Sequence, residues 1–315
     1  MLSRIAESLF WIGRYLERAD GTARILDVQL RLLLEDPWLD EDRSCRSLLS
    51  VMGHPVAESR TDPVHGQEML DLLAHSDAPG SIASSLNAAR ENARRAREVV
   101  STEVWESLNT TRNDVFAGRW RSRSPYRFFA WVRERVAVVT GTADATMSRD
   151  QAWNFLVLGR SIERADMTAR LIAADEARGG SSAGWPLVLR SCGAYEAFLR
   201  TYGAAASEDR AAEFLLLDRL FPRSVVHALL EADGCLEQLS TDENYASTRL
   251  VGRDDARRLL GRARTELEYR PLSEVYEDLT GHMDRVQRVC SAASDAVSQR
   301  FFPRGKATSW VREYS

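Results

Sequence analysis

The chain has 315 residues, and its 42 lysines and arginines against 46 acids leave a net charge of -4, so no global positive field draws it to nucleic acid or to an acidic membrane surface. Four cysteines, Cys45, Cys192, Cys235 and Cys290, stand far apart without paired spacing, which argues against a zinc knuckle or a disulfide framework and fits a reducing compartment. There is no basic-then-apolar leader, and no apolar run approaches the roughly 18 residues that span a bilayer, so a cytoplasmic protein is expected.

The first predicted element is a helix from Ser3 to about Glu35. At about 100° per residue, Ile5, Leu9, Ile12, Leu16, Ala19, Ala23, Leu26 and Leu30 share one face, which is the expected core face. Gly13, Glu17, Asp20 and Arg24 form a narrow stripe along its edge, where charges are expected to be half buried. A turn at EDPWLDED follows, then a short helix at CRSLLSVMG, a polar loop from His54 to Gly66, and a short helix at GQEMLDLLAHS. Pro79-Gly80-Ser81 is a start signal, with Ser81 as cap of a helix whose Ile82, Leu86, Ala89, Ala93 and Ala96 make a small-residue apolar side.

Thr110 to Pro125 reads as a polar connection carrying Arg112, Arg119, Arg121 and Arg123, with Trp120, Tyr126, Phe128, Phe129 and Trp131 around its end. Interleaved bases and aromatics can bind single-stranded nucleic acid, but in an acidic chain a solvated loop leading into a core helix is the better account. Phe128 to Met147 is predicted helical. Ser148 and Gln151 stand at capping-box spacing before the next helix.

That next helix repeats the first. Gly13, Arg14, Glu17, Arg18, Asp20 and Arg24 recur as Gly159, Arg160, Glu163, Arg164, Asp166 and Arg170, and Phe155, Leu158, Ile162, Ala165, Ala169 and Ile172 rebuild the apolar face. A solvated surface has no physical reason to repeat acid, acid and base at identical offsets. ARGGSSAGWP then reads as a flexible turn, and RSCGAYEAFLRTYG takes the place of CRSLLSVMG. After Pro222, Ser224, Val225, Leu229 and Ala232 keep the spacing of Ser81, Ile82, Leu86 and Ala89, at an offset of 143 against 146 for the first pair. Arg253 to Arg270 and Leu272 to Phe301 are predicted as two long helices, followed by a loose tail with Trp310. With no strand pattern anywhere, the expected fold is all-α, a helical bundle in one domain over 1–315 with repeat halves 1–147 and 148–301 and a tail at 302–315.

SRIAESLFWIGRYLERADGTARILDV at the start, SIASSLNAARENARRARE at Ser81 to Glu98 and WESLN at Trp105 to Asn109 resemble the signatures of the alpha-E domain family, over nearly the whole chain. The resemblance implies a bacterial helical protein encoded beside, or fused to, an ATP-grasp peptide or amide ligase, with transglutaminase-like proteases as further neighbours. An accessory that docks the ligase or its substrate is therefore expected, with a helical enzyme or an amino-acid- or peptide-binding subunit as the alternative.

The candidate site is the repeated stripe, Arg14, Glu17, Arg18, Asp20 and Arg24 with Arg160, Glu163, Arg164, Asp166 and Arg170. Converging carboxylates could hold a hard cation, but the Glu-x-x-His pairs of a di-metal bundle are missing: His54, His65, His75, His227 and His282 lie elsewhere, so no metal is expected. A buried network is the simpler reading, with Glu17 and Asp20 paired to Arg170 or Arg164, and Glu163 and Asp166 to Arg24 or Arg18. A third reading makes the stripe a mixed-charge pocket whose arginines hold a carboxylate or phosphate while the acids meet an amine. There is no GxSxG, and Gly179-Gly180-Ser181 lacks the lysine of a phosphate loop, so neither hydrolase nor ATP chemistry is indicated and no cofactor is called for.

Overall fold

Gly13 and Gly159 fix the centre of the molecule. A mid-helix glycine costs about 1 kcal/mol against alanine unless another backbone comes close, and here one does. In the computed structural model, which describes residues 1–57, 59–118, 124–177, 184–203, 207–241 and 255–302, a Cβ on Gly13 would overlap the Leu156 carbonyl oxygen and lie 2.8 Å from the Arg160 nitrogen. A Cβ on Gly159 would overlap the Phe10 carbonyl in the same way. The two helices concerned, α1 (Ser3–Glu35) and α7 (Gln151–Ala177), run side by side in the same direction, from Met1 bonded to Gln151 at 3.3 Å through the glycine contact to Gly21 against Met167.

The other helices wrap this pair. In the first half these are α2 (Glu41–Val51), α3 (Gly66–Leu70) with a π-helical turn at Asp71–His75, α4 (Ile82–Arg95), α5 (Thr102–Phe116) and α6 (Pro125–Thr146). After α7 come α8 (Gly184–Ser191), α9 (Tyr195–Tyr202), α10 (Glu208–Leu217), α11 (Val225–Thr241), α12 (Asp255–Tyr269), α13 (Leu272–Glu277) and α14 (Leu279–Phe301). Helix α4 lies along α1 as α11 lies along α7, while α6 packs on α1 and α14 on α7. Helices are the regular secondary structure of the described residues, with no strand among them, and no helix among them is long and apolar enough to cross a membrane.

Local chemistry explains most boundaries. Ser81 accepts from the Ser84 amide at 3.0 Å and caps α4; Ser224 accepts from the His227 amide at 3.1 Å ahead of α11. The stretches Ser81 to Glu98 and Trp105 to Asn109 meet where Arg90 donates to Asn109 at 3.1 Å and stacks over Trp105. Phe10, Phe155, Phe301 and Phe302 close the end of the bundle at the N-termini of α1 and α7.

Five expectations need correction. Helix α5 runs on to Phe116, so the connection before α6 is shorter than Thr110 to Pro125; Arg112 lies on the helix, stacks on Phe116 and donates to Asn87. Arg119, Trp120, Arg121 and Arg123 lie outside the described residues, as does the tail from 303 with Trp310. Asp150, not Ser148, caps α7, because its carboxylate accepts from the Ala152 amide at 2.8 Å. Gly184 to Pro186 open α8 instead of ending a turn, with Pro186 in the first turn, where its missing N–H is not needed. RSCGAYEAFLRTYG is broken at Gly193, whose φ of 63° ends α8 and starts α9. Leu272 to Phe301 is two helices, because Asp278 leaves helical geometry at φ -142° and its carboxylate accepts from the Gly281 amide to begin α14.

Candidate functional site

The stripe is buried more deeply than an edge position suggests: Glu17 and Asp20 are each 4% exposed, Glu163 1% and Asp166 7%. Groups so far from water need partners, since an isolated buried charge costs several kcal/mol. Each glutamate has two guanidinium partners. Arg164 Nη2 donates to Glu17 Oε2 at 2.7 Å and Arg223 Nη1 donates to Oε1. On the other side Arg14 Nε donates to Glu163 Oε2 at 2.7 Å, while Arg18 donates to Oε1 at 2.5 Å and to Oε2 at 2.9 Å.

These pairs set the charge states. Burial pushes the Glu17 carboxyl up, but Arg223 and Arg164 outweigh it and bring its pKa down to about 2. Burial likewise opposes ionisation of Glu163, and Arg14 and Arg18 override it.

The pairs Glu17 to Arg164 and Glu163 to Arg18 cross between the repeated helices as expected, but neither aspartate accepts from an arginine of the other repeated helix. Asp20 accepts from Arg24 at 2.8 Å and Asp166 from Arg170 at 2.8 Å, one turn along their own helices, because an aspartate is short and an arginine four residues later reaches it directly. Arg160 and Arg14 also part ways. Arg14 reaches Glu163 and Ser294, whereas Arg160 turns to Glu231, which Ser161 also contacts.

Arg223 is the residue that sequence reasoning missed. It bridges Glu17 and Asp20, with Nη2 donating to Asp20 Oδ2 at 2.5 Å. The offset of 143 that aligns Ser224 with Ser81 aligns Arg223 with Gly80. Both residues follow a proline in a tight turn, closed by Ser81 N to Ala78 O at 3.1 Å and by Ser224 N to Phe221 O at 3.0 Å. Gly80 has φ of 89°, the geometry of a type II turn, which only glycine adopts comfortably; among described non-glycine residues no φ is positive, so the Arg223 turn is of another type and can carry a long side chain. Asp166 consequently has no counterpart of Arg223. Its Oδ1 is buried without a hydrogen bond, and burial, only partly offset by Arg170, raises its pKa.

A cavity of about 190 Å³ opens beside Glu17. Its charged lining is Glu17, Asp20, Arg24, Arg133, Arg160, Arg164 and Arg223, and its apolar wall comes from α1, α5, α6 and α7. Arg14, Arg18, Glu163, Asp166 and Arg170 do not line it. Arg133, on α6, contacts Asp27 at 3.4 Å and is about a third exposed. Nothing in the repeat marks it. Among the described residues no cluster of three or more His, Cys, Asp or Glu is placed to hold a metal ion.

Two Glu-Arg dipeptides, Glu17-Arg18 and Glu163-Arg164, thus lie at the crossing of the two central helices and supply its inter-helix charge pairs. Residues 1–302 match Alpha-E, described as a predicted alpha-helical domain with a conserved ER motif. The chain belongs to the Alpha-E family. It is 24% identical to uncharacterised proteins of Mycobacterium bovis and of Mycobacterium tuberculosis strain CDC 1551, and 23% identical to one of Mycobacterium tuberculosis strain H37Rv; each match covers 73% of this chain and 29% of the relative. This Alpha-E chain therefore spans less than a third of the length of the curated relatives it matches. No solved structure matches it.

Proposed function

We propose that the protein is a non-catalytic helical accessory of an ATP-grasp peptide or amide ligase, acting in the cytoplasm to dock the ligase or its substrate in peptide synthesis or modification. The observation that carries this reading is the state of the two signature glutamates. A general base works best with a pKa near the operating pH, whereas Glu17 is held at about 2 and Glu163 is also pushed down, each by two arginines. Carboxylates engaged in this way hold helices together and are poor proton acceptors. The same reading takes 1–315 as one domain of two repeated halves, with the ligase, and after it a transglutaminase-like protein, as partners. The alternative of a ligand-binding subunit is favoured by a single observation, the cavity beside Glu17.

The test is co-expression with an ATP-grasp peptide or amide ligase from the same genome, followed by size-exclusion chromatography and a ligase assay with and without this chain. Co-elution and a ligase rate that depends on the added chain are expected. Glu17→Gln should lower the melting temperature while leaving ligase stimulation per folded molecule unchanged. If the variant is folded and stimulation is lost, the stripe handles substrate and the non-catalytic reading fails.

A further inference from the structure

We propose that the cavity beside Glu17 binds the anionic end, a carboxylate or a phosphate monoester, of a small ligand with a short aliphatic part. The charged lining holds five arginines against two carboxylates, and those carboxylates are already engaged. Glu17 accepts on both oxygens, from Arg164 and Arg223, and Asp20 Oδ2 accepts from Arg24 and Arg223. Glu17 has no free oxygen left to draw in an amine or a cation, and even counting Asp27 and Glu231, which pair with Arg133 and Arg160, five arginines face four carboxylates.

The donors, by contrast, are not all used. The Nε groups of Arg160 and Arg164 are buried and have no hydrogen-bond partner. Neither guanidinium has all its donors satisfied by the protein, and arginine makes strong, charge-assisted bonds to carboxylate and phosphate. Arg133, about a third exposed and held by Asp27 only at 3.4 Å, is the most exposed arginine of the lining and can meet an incoming anion before it is desolvated. Leu16, Val136, Val139 and Leu156 form an apolar wall of the same cavity, which suits a few methylene or methyl groups. At about 190 Å³ the space is below the roughly 300 Å³ at which drug-sized pockets begin, so the bound part is small.

The corresponding side of the repeat offers no second copy of this site. Arg14, the counterpart of Arg160, is spent on Glu163 and Ser294, and Gly80 stands where Arg223 would be. One ligand per chain is the result.

This inference develops the ligand-binding alternative and is independent of ligase docking; its assay contains no ligase, so either can fail alone. Isothermal titration of the full chain with 4-methylpentanoate, with 4-methylpentanamide and with isobutyl phosphate reads it directly. Saturable binding of at least one anion at one site per chain is expected, at least tenfold tighter than the uncharged amide; the tighter anion names the ligand class. Arg133→Gln, whose glutamine can still reach toward Asp27 as a neutral donor, and Arg160→Gln should each weaken binding about tenfold. Arg288→Gln, in the separate arginine-lined groove between α12 and α14, should leave it unchanged. The proposal is overturned if acid and amide bind alike, if no anion binds, or if Arg288→Gln weakens binding while Arg133→Gln does not.

Discussion

The two signature glutamates sit in the same place on two repeated helices, yet their surroundings differ in one residue that changes the physics around them. On the Glu17 side, Arg223 reaches in from the turn before α11, bridges Glu17 and Asp20, and borders a cavity. On the Glu163 side the matching turn holds Gly80, and Asp166 keeps a buried oxygen without a partner. The cause is local: a Pro-Gly pair closes its turn with a left-handed residue, and a Pro-Arg pair does not. The two copies of the motif keep the same crossing contact, and Arg223 joins only the Glu17 copy.

The largest effect should come from the charges that both copies share. Glu17→Gln and Glu163→Gln each leave two largely buried guanidiniums short of a counter-charge, a change that costs up to about 3–5 kcal/mol, readable as a shift in urea midpoint at pH 7. The two should differ by less than about 1 kcal/mol, since each glutamate has two arginine partners. If only one of them destabilises the fold, the two sides are not equivalent supports. With the folded pKa of Glu17 at about 2 and the unfolded value near 4.5, its contribution is complete above pH 4.5 and is lost as the pH falls toward 2. The acid limb of wild-type unfolding should therefore be steeper than that of Glu17→Gln.

Next in size is the crossing itself. Gly13→Ala would gain roughly 1 kcal/mol from helix propensity alone, but its Cβ overlaps a backbone oxygen that cannot rotate away. Overpacking of this kind costs about 1–3 kcal/mol, and a rigid backbone neighbour places it at the upper end. Gly159→Ala should match it, because each glycine meets the other helix's backbone. A stabilised Gly13→Ala in differential scanning calorimetry would remove the close approach from the account.

Much of this was legible in the sequence because the repeat is written in residues whose physics is local. The apolar period gave α1 and α7, the mid-helix glycines announced a close backbone, and Ser81 and Ser224 act as caps where the offset of 143 aligns them. Arg223 was hidden because it lies in a turn outside the repeated motif and acts across 206 residues of chain on Glu17. Its signal was a difference, arginine aligned with glycine, and a search for likeness passes over differences. The aspartate pairings were misjudged for a simpler reason: an arginine four residues along the same helix is always within reach, so it competes with any partner across the interface. Glu208–Leu217 went unassigned although its apolar residues, Ala211, Ala212, Leu215 and Leu216, carry helical spacing.

The smallest effect is also the sharpest test of the comparison between the two sides. Asp20 and Asp166 occupy matching positions and pair with matching arginines, so any difference between Asp20→Asn and Asp166→Asn isolates Arg223. Asp20→Asn strips a counter-charge from the buried Arg223 and should cost about 2–3 kcal/mol, below the glutamate changes because Glu17 still holds that guanidinium. Asp166→Asn removes a charge that burial already opposes, and the Arg170 it leaves is about a third exposed and also donates to the Val51 carbonyl. Its cost at pH 7 should lie within about 1 kcal/mol of zero, on either side. The pH dependence gives the sign. A carboxyl whose folded pKa is raised favours the folded state below its unfolded value of about 3.8 and loses that contribution as the pH climbs through the folded value. Asp166→Asn should therefore look best, relative to wild type, near neutrality and lose that relative standing on acidification. Urea titrations of both variants between pH 3 and pH 7 would show it, and equal penalties at pH 7 would mean that Arg223 does not distinguish the two sides.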